Sequence, residues 1–226
     1  MEKMPLLMTI AVLGGTGREG KGLAYRWARA GYKVLIGSRS IERAVTTASE
    51  IMEMLEGSSS LVGTSNREAA ELADIVVLAV PYAAHRETLE SIKDVLKGKL
   101  LIDVTVPLVP PKIRKVQMPA AGSAAQEAKE IVGDGVDVAS AFQNIAHELL
   151  LKDEEVDCDV LVTGTSKDAR AEVLKLVEAA GLTGWDAGPI ENSVVAEGLG
   201  SVLININKEY GSTHSGIRIT GAQRTE

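Results

Sequence analysis

The residues best suited to chemistry are Gly15-Thr16-Gly17-Arg18-Glu19-Gly20, which closely follow the short apolar run Thr9–Leu13 and lead into a helix-like stretch. A G-x-G-x-x-G spacing alone is common, but here a strand precedes it and a helix follows, the context a dinucleotide-binding turn requires. A pyrophosphate would lie on free backbone N–H groups at the helix start, where the helix dipole favours an anion. Gly15 permits the tight turn, Gly17 lets the phosphates approach the backbone, and Gly20 brings helix close to strand.

The next strand selects the dinucleotide. An NAD site usually places an acid against the ribose 2′-hydroxyl about 20 residues after the glycines. Here Lys33-Val34-Leu35-Ile36 ends in Gly37-Ser38-Arg39-Ser40, with Arg43 one helical turn on, and those strand-end residues include no carboxylate. A hydroxyl and guanidinium groups suit a 2′-phosphate, so the expected cofactor is NADP(H). The alternative is that Ser38 caps the next helix and Arg39 is a solvated charge.

Around these residues, β-branched runs alternate with amphipathic stretches, the pattern of an α/β fold on a parallel sheet. Strands are expected at 9–13, 33–36, 75–80, 100–104, 136–140 and 160–163. Helices are expected at 18–30, 41–55, 67–73, 84–96, 123–132, 167–180 and 193–210. Gly- and Ser-rich connections such as Gly57-Ser58-Ser59-Ser60 separate them. The 226 residues, 45% hydrophobic, suffice for a sizeable core. A net charge of −7 argues against nucleic-acid or membrane-surface binding. The single cysteine, Cys158, excludes an internal disulfide framework and fits a reducing cytoplasm. The apolar opening Met1–Met8 lacks the features of a signal peptide, and no apolar run approaches the roughly 20 residues of a spanning helix.

Three further segments fall at carboxyl ends of strands, the edge where open α/β sheets bind ligands. Residues 105–122 hold four of the seven prolines; a loop this long reads either as a substrate-side wall or as a surface excursion. Val80-Pro81-Tyr82 follows a strand and would face the nicotinamide, unless Pro81 merely ends the strand and Tyr82 is half-buried core. In Val138–His147, small and amide residues leave room for a flat ring; alternatively Phe142 and Ile145 are core, Asn144 caps a turn and His147 is an ordinary histidine.

No lysine lies four residues after Tyr25, Tyr32, Tyr82 or Tyr210, so the Tyr-x-x-x-Lys proton relay of short-chain dehydrogenases is missing. No Cys or His spacing suggests a metal site. Without a dedicated proton donor, the economical chemistry is hydride exchange between two ring cofactors, with catalysis by alignment and no acid or base residue assigned.

The chain resembles the NADPH-dependent coenzyme F420 reductases (F420H2:NADP oxidoreductases) over nearly its whole length. The landmarks are Ala11–Gly17, Ile36–Arg39, Leu101–Pro107, Gly122–Ala125, Ala141–Ile145, Val156–Asp159 and Gly216–Thr220. The resemblance implies a Rossmann-type doubly wound parallel sheet over residues 1–150 and a small C-terminal α/β domain over 151–226 that completes a deazaflavin cleft. It implies that Thr16, Ser38, Arg39 and Arg43 surround the 2′-phosphate, and that Gly15, Gly17, Arg18 and Glu19 follow the pyrophosphate turn. Val80, Pro81 and Tyr82 would flank the nicotinamide; Gln143, Asn144, Ile145 and Ala146 would line the coenzyme F420 ring. The C-terminal helix and Gly216-Ile217-Arg218 would close the pocket, with a second subunit of a homodimer or larger homo-oligomer nearby. One departure is Glu197-Gly198-Leu199-Gly200-Ser201, richer in glycine than the family pattern. Lys112, Arg114, Lys115, Lys208 and Arg218 are candidates to receive the coenzyme's anionic tail, or plain solvated surface. Rival readings are an NADP-dependent reductase of a small imine or keto substrate and a non-catalytic NADP sensor.

Overall fold

Eight strands build one sheet in the order β3-β2-β1-β4-β5-β6-β7-β8. They are β1 (Ile10–Leu13), β2 (Val34–Ser38), β3 (Leu61–Ser65), β4 (Ile75–Leu78), β5 (Leu100–Asp103), β6 (Asp137–Ser140), β7 (Asp159–Gly164) and β8 (Thr183–Pro189). The helices are α1 (Arg18–Arg29), α2 (Ile41–Met54), α3 (Asn66–Leu72), α4 (Tyr82–Ile92), α5 (Ala124–Val132), α6 (His147–Leu150), α7 (Lys167–Ala179) and α8 (Ser193–Tyr210). The computed structural model describes residues 8–57, 60–152 and 154–223. Ser58 and Ser59 of the serine-rich connection, and residues 1–7 of the apolar opening, lie outside the described residues.

Strands β1 to β6 run parallel, which requires crossovers through helices and buries both faces. Accordingly, β1, β2 and β4 are buried at every position. β7 joins β6 antiparallel, and β8 then pairs parallel with β7. The order 3-2-1-4-5-6 is that of a doubly wound dinucleotide-binding sheet, whose ligand crevice opens where β1 and β4 diverge.

All six expected strands and seven expected helices are present, with ends shifted by a few residues. The chain leaves the sheet at Leu78, two residues before the expected end, so that Ala79 and Val80 border the crevice. Strands β3 and β8 and the single-turn α6 were not anticipated. The two strands are the outer members of the sheet and carry glycine or proline without sustained apolar alternation, which weakens a strand signal. Gly63 in β3 is obligatory, because a Cβ there would sit 2.3 Å from the backbone of Ala44 and Val45 in α2.

On one face of the sheet, Trp27 of α1 is fully buried and donates its indole N–H to Leu176 O at 2.9 Å. Beside it, Arg26 points inward. Its guanidinium donates to the carbonyls of Leu149, Leu150, Lys152 and Ala180 at 2.7–2.9 Å, tying α6 and the end of α7 to α1. A buried charge is tolerated when fully hydrogen-bonded in this way.

Candidate active site

At the carboxyl edge, the turn between β1 and α1 is built by close approach. Gly14 adopts φ +72°, and a Cβ on it would meet Ala79 O at 2.5 Å. At Gly20 a Cβ would lie 2.9 Å from Gly14 O and from Gly15 Cα, so the helix can follow the strand closely only through glycine. The left-handed residue is Gly14, one position before the fingerprint glycine credited with the tight turn. Gly17 is the N-cap of α1 with no side-chain cap, leaving the first-turn N–H groups available to an anion.

A cavity of about 370 Å³ lies over this turn. Gly14, Thr16 and Gly17 form its floor, Ser38, Arg39 and Arg43 one end, and Val80 and Pro81 the other. Ser38 is buried and its Oγ accepts from Ser40 N at 3.2 Å. The cap of α2 is Ser40, which accepts from Arg43 N at 3.3 Å; the alternative role for Ser38 as cap therefore falls to Ser40. Arg39 and Arg43 are exposed and, among the described residues, neither makes an ion pair. Two cationic side chains at one end of a polar crevice suit a phosphate dianion. Asn66, which opens α3, also borders the cavity, and its Oδ1 accepts from Gly14 N at 3.4 Å. Sequence reasoning missed Asn66 because it missed β3, which delivers it to this edge.

A second cavity, about 310 Å³, also borders the first turn of α1, through Glu19. Glu19, Gln143, Asn144, Ile145 and Ala146 line it, with Val106 and Leu108 from the proline-rich loop and Gly200 and Leu203 from α8. The start of that loop is therefore a cavity wall. Gly200, part of the glycine-rich departure, is required here, since a Cβ would press to 2.6 Å from Val106. The amides of Gln143 and Asn144 are fixed by acceptors behind them. Gln143 Nε2 donates to Asp103 O and Ser140 Oγ, both at 2.8 Å, and Asn144 Nδ2 donates to Asp159 O at 2.6 Å. Because those partners include backbone carbonyls, the amides cannot be flipped without facing oxygen to oxygen. Their oxygens, Gln143 Oε1 and Asn144 Oδ1, are left buried without a partner. Phe142, by contrast, is core, with no exposed surface.

Some expected residues stand elsewhere. Glu19 borders the second cavity and not the crevice over the glycine turn, and Arg18 is exposed and borders neither. Gly15 is buried beneath the turn. Tyr82 is turned toward α5, where its hydroxyl donates to Glu127 Oε2 at 2.9 Å; burial and that carboxylate push the phenol up to about 12. Behind it, His85 and Asp103 meet at 2.7 Å, both fully buried. Glu197 of α8 accepts from Ala124 N at 2.6 Å and Ala125 N at 3.0 Å, holding the start of α5. Burial, with Asp103 nearby, pushes the Glu197 carboxyl up to about 8. Arg114 reaches Asn205 and Glu209 of α8 at 3.4–3.5 Å, and Arg218 pairs with Asp157. Among the described residues, no group of His, Cys, Asp and Glu could hold a metal ion, and no helix is long and apolar enough to cross a membrane.

The sheet order, the glycine turn and the adjoining cavity define a dinucleotide-binding oxidoreductase of the Rossmann class. Residues 9–107 match the family described as NADP oxidoreductase, coenzyme F420-dependent. The chain is 43% identical to the F420-dependent NADP reductase of Methanothermobacter marburgensis, covering 94% of this chain and 98% of that one. It is 37% identical to the enzyme of the same name from Methanocaldococcus jannaschii, covering 96% and 100%. The chain belongs to the F420-dependent NADP reductase family. Its fold is shared with a crystal structure from Arthrobacter sp. FB24 provisionally described as an F420-dependent NADP reductase, with TM-score 0.79, 25% identity and coverage of 94% and 99%. An imine reductase from Myxococcus stipitatus shares the fold alone, at TM-score 0.56 and 20% identity over 92% of this chain and 62% of that one.

Proposed function

We propose that this protein transfers hydride reversibly between NADP(H) and coenzyme F420. The observation that carries the reading is the pair of cavities that both reach the first turn of α1, the first floored by the glycine turn and the second lined by residues 143–146. Relatives of the same length and moderate identity, named F420-dependent NADP reductases, support it.

In this reading Gly14, Thr16 and Gly17 form the floor that receives the pyrophosphate, and Ser38, Arg39 and Arg43 receive the 2′-phosphate. Val80 and Pro81 bound the nicotinamide end. The deazaflavin occupies the second cavity, where the orphaned amide oxygens of Gln143 and Asn144 offer acceptors to a ring bearing N–H groups. When bound, the deazaflavin supplies an electrophilic carbon for hydride. The chain's own task is to set two rings in contact and keep water out, a gain in orientation rather than in covalent chemistry. Residues 151–226 supply Gly200, Leu203, Thr213 and Ser215 to the second cavity, which is the functional sense of a division near residue 150. Lys112, Arg114 and Lys115 line a further cavity with Pro111 and Asn205, and in this reading their positive charge receives the anionic tail.

We place the enzyme in the cytoplasm as a homo-oligomer, consistent with its acidic charge and one buried free cysteine; light scattering tests the assembly. The deciding experiment mixes purified protein with NADPH and oxidised coenzyme F420 and follows the deazaflavin's visible absorbance. Loss of absorbance with matching oxidation of NADPH is the expected result. Tight NADP binding with no turnover of the deazaflavin would defeat the reading.

A further inference from the structure

Glu19 is the unexplained group at this site. It stands in the first turn of α1, borders the second cavity, and has a carboxyl oxygen, Oε1, buried without any hydrogen-bond partner. A helix N-terminus favours a carboxylate, but burial of an unpaired charge opposes it more strongly. Burial of that oxygen without a partner pushes the Glu19 carboxyl up to about 8, so that at neutral pH the neutral acid, with its O–H donor, dominates. The other ionisable side chains on the cavity wall are His147 and Glu148 of α6, which meet each other at 3.3 Å. The other orphaned polar atoms among the lining residues, Gln143 Oε1 and Asn144 Oδ1, are acceptors only, in residues 5% and 3% exposed. Glu19 is therefore the one donor among the three orphaned groups of the second cavity.

Hydride transfer to a deazaflavin is assisted by such a group. The hydride leaves C4 of the reduced nicotinamide with its electron pair and forms a C–H bond at C5 of the acceptor. The electron pair displaced through the conjugated ring onto its N1 must be met by a proton.

We infer that Glu19 supplies that proton: its O–H bond breaks as the N1–H bond forms, and the resulting carboxylate is reprotonated from water at the mouth of the cavity. In the reverse direction the carboxylate accepts the N1 proton as hydride departs, so nicotinamide and deazaflavin exchange two electrons and one proton moves through Glu19. A carboxyl titrating near the working pH is the efficient choice for a donor that must serve both directions. This inference rests on the proposed hydride transfer and assigns an acid to a reaction for which residue types alone suggested none.

The test uses E19Q, with H214Q, at an exposed histidine outside the cavity, as the comparison. In the unliganded protein, infrared difference spectra between wild type and E19Q should contain the carbonyl stretch of a protonated carboxylic acid at pH 6.5, shifted in heavy water and lost as pH rises through about 8. With NADPH and coenzyme F420, wild-type kcat for deazaflavin reduction should fall with rising pH across the same range. E19Q should lose roughly tenfold or more in kcat, show a flat profile there, and keep its NADP affinity, which also reports that it is folded. H214Q should keep the wild-type profile. Absence of the carboxylic-acid band, or E19Q turning over at the wild-type rate with the wild-type pH dependence, overturns the role of Glu19 and leaves the proposed function standing. Failure of the wild type to reduce the deazaflavin defeats the function itself.

Discussion

Phe142 packs its ring edge-on against Trp27, centroids 5.8 Å apart and planes at 80°, and this contact fixes where the chain turns to present Gln143 and Asn144. Phe142 adopts φ +74°, a left-handed conformation uncommon for a residue with a large side chain. The buried aromatic pair holds the backbone there.

Truncation of this contact should therefore be costly. F142A should lose about 3–5 kcal/mol in urea unfolding. F142L, which retains most of the apolar volume, should lose less and should bind NADP normally.

Arg39 should decide between the two nicotinamide dinucleotides. R39A removes a charge-assisted contact worth about 1.5–3 kcal/mol, so KM for NADPH should rise about tenfold or more while KM for NADH stays within about twofold. Equal effects on both cofactors would place Arg39 away from the 2′-phosphate.

Arg26 should behave as a structural clamp. R26A strips donors from the carbonyls of Leu149, Leu150, Lys152 and Ala180, and should destabilise the protein by about 3 kcal/mol or more. R26K cannot reproduce a planar fork and should recover only part of the loss. Thermal unfolding of both variants measures this.

Stability should depend on pH through Glu197 and Glu19, both pushed up to about 8 in the fold. In the unfolded chain each titrates at an ordinary carboxylate value, so between about pH 5 and 8 the folded protein holds more protons. Stability should be greatest below that window and fall as pH rises through it, by up to about 1.4 kcal/mol per pH unit for each group. E197Q should flatten this slope. Because an amide offers one acceptor where the acid offers two, it should also cost about 1–3 kcal/mol at pH 6 by leaving a backbone N–H at the start of α5 unpaired. Denaturant titrations across the range check both effects.

The parallel core and the glycine turn are legible in the chain because one signal dominates each of them: apolar β-branched runs for the buried strands, and glycines where a Cβ would strike backbone. β3 and β8 carry no such signal, since an edge strand needs apolar residues on fewer positions, as exposed Val62 shows. Missing β3 hid Asn66. The acceptor edge of Gln143 and Asn144 could be read from amides at a strand end. That Glu19 lines one cavity with them, and that Tyr82 turns toward Glu127, depends on packing between elements distant in the chain, which local spacing does not encode.

The first turn of α1 touches both chambers, Gly17 lining one and Glu19 the other. Any ligand that shifts or stiffens this turn is felt by the occupant next door, so occupancy of one chamber should alter the affinity of the other, by the same factor in either order of addition. One turn of helix thus serves both occupants, and through it each can sense the other.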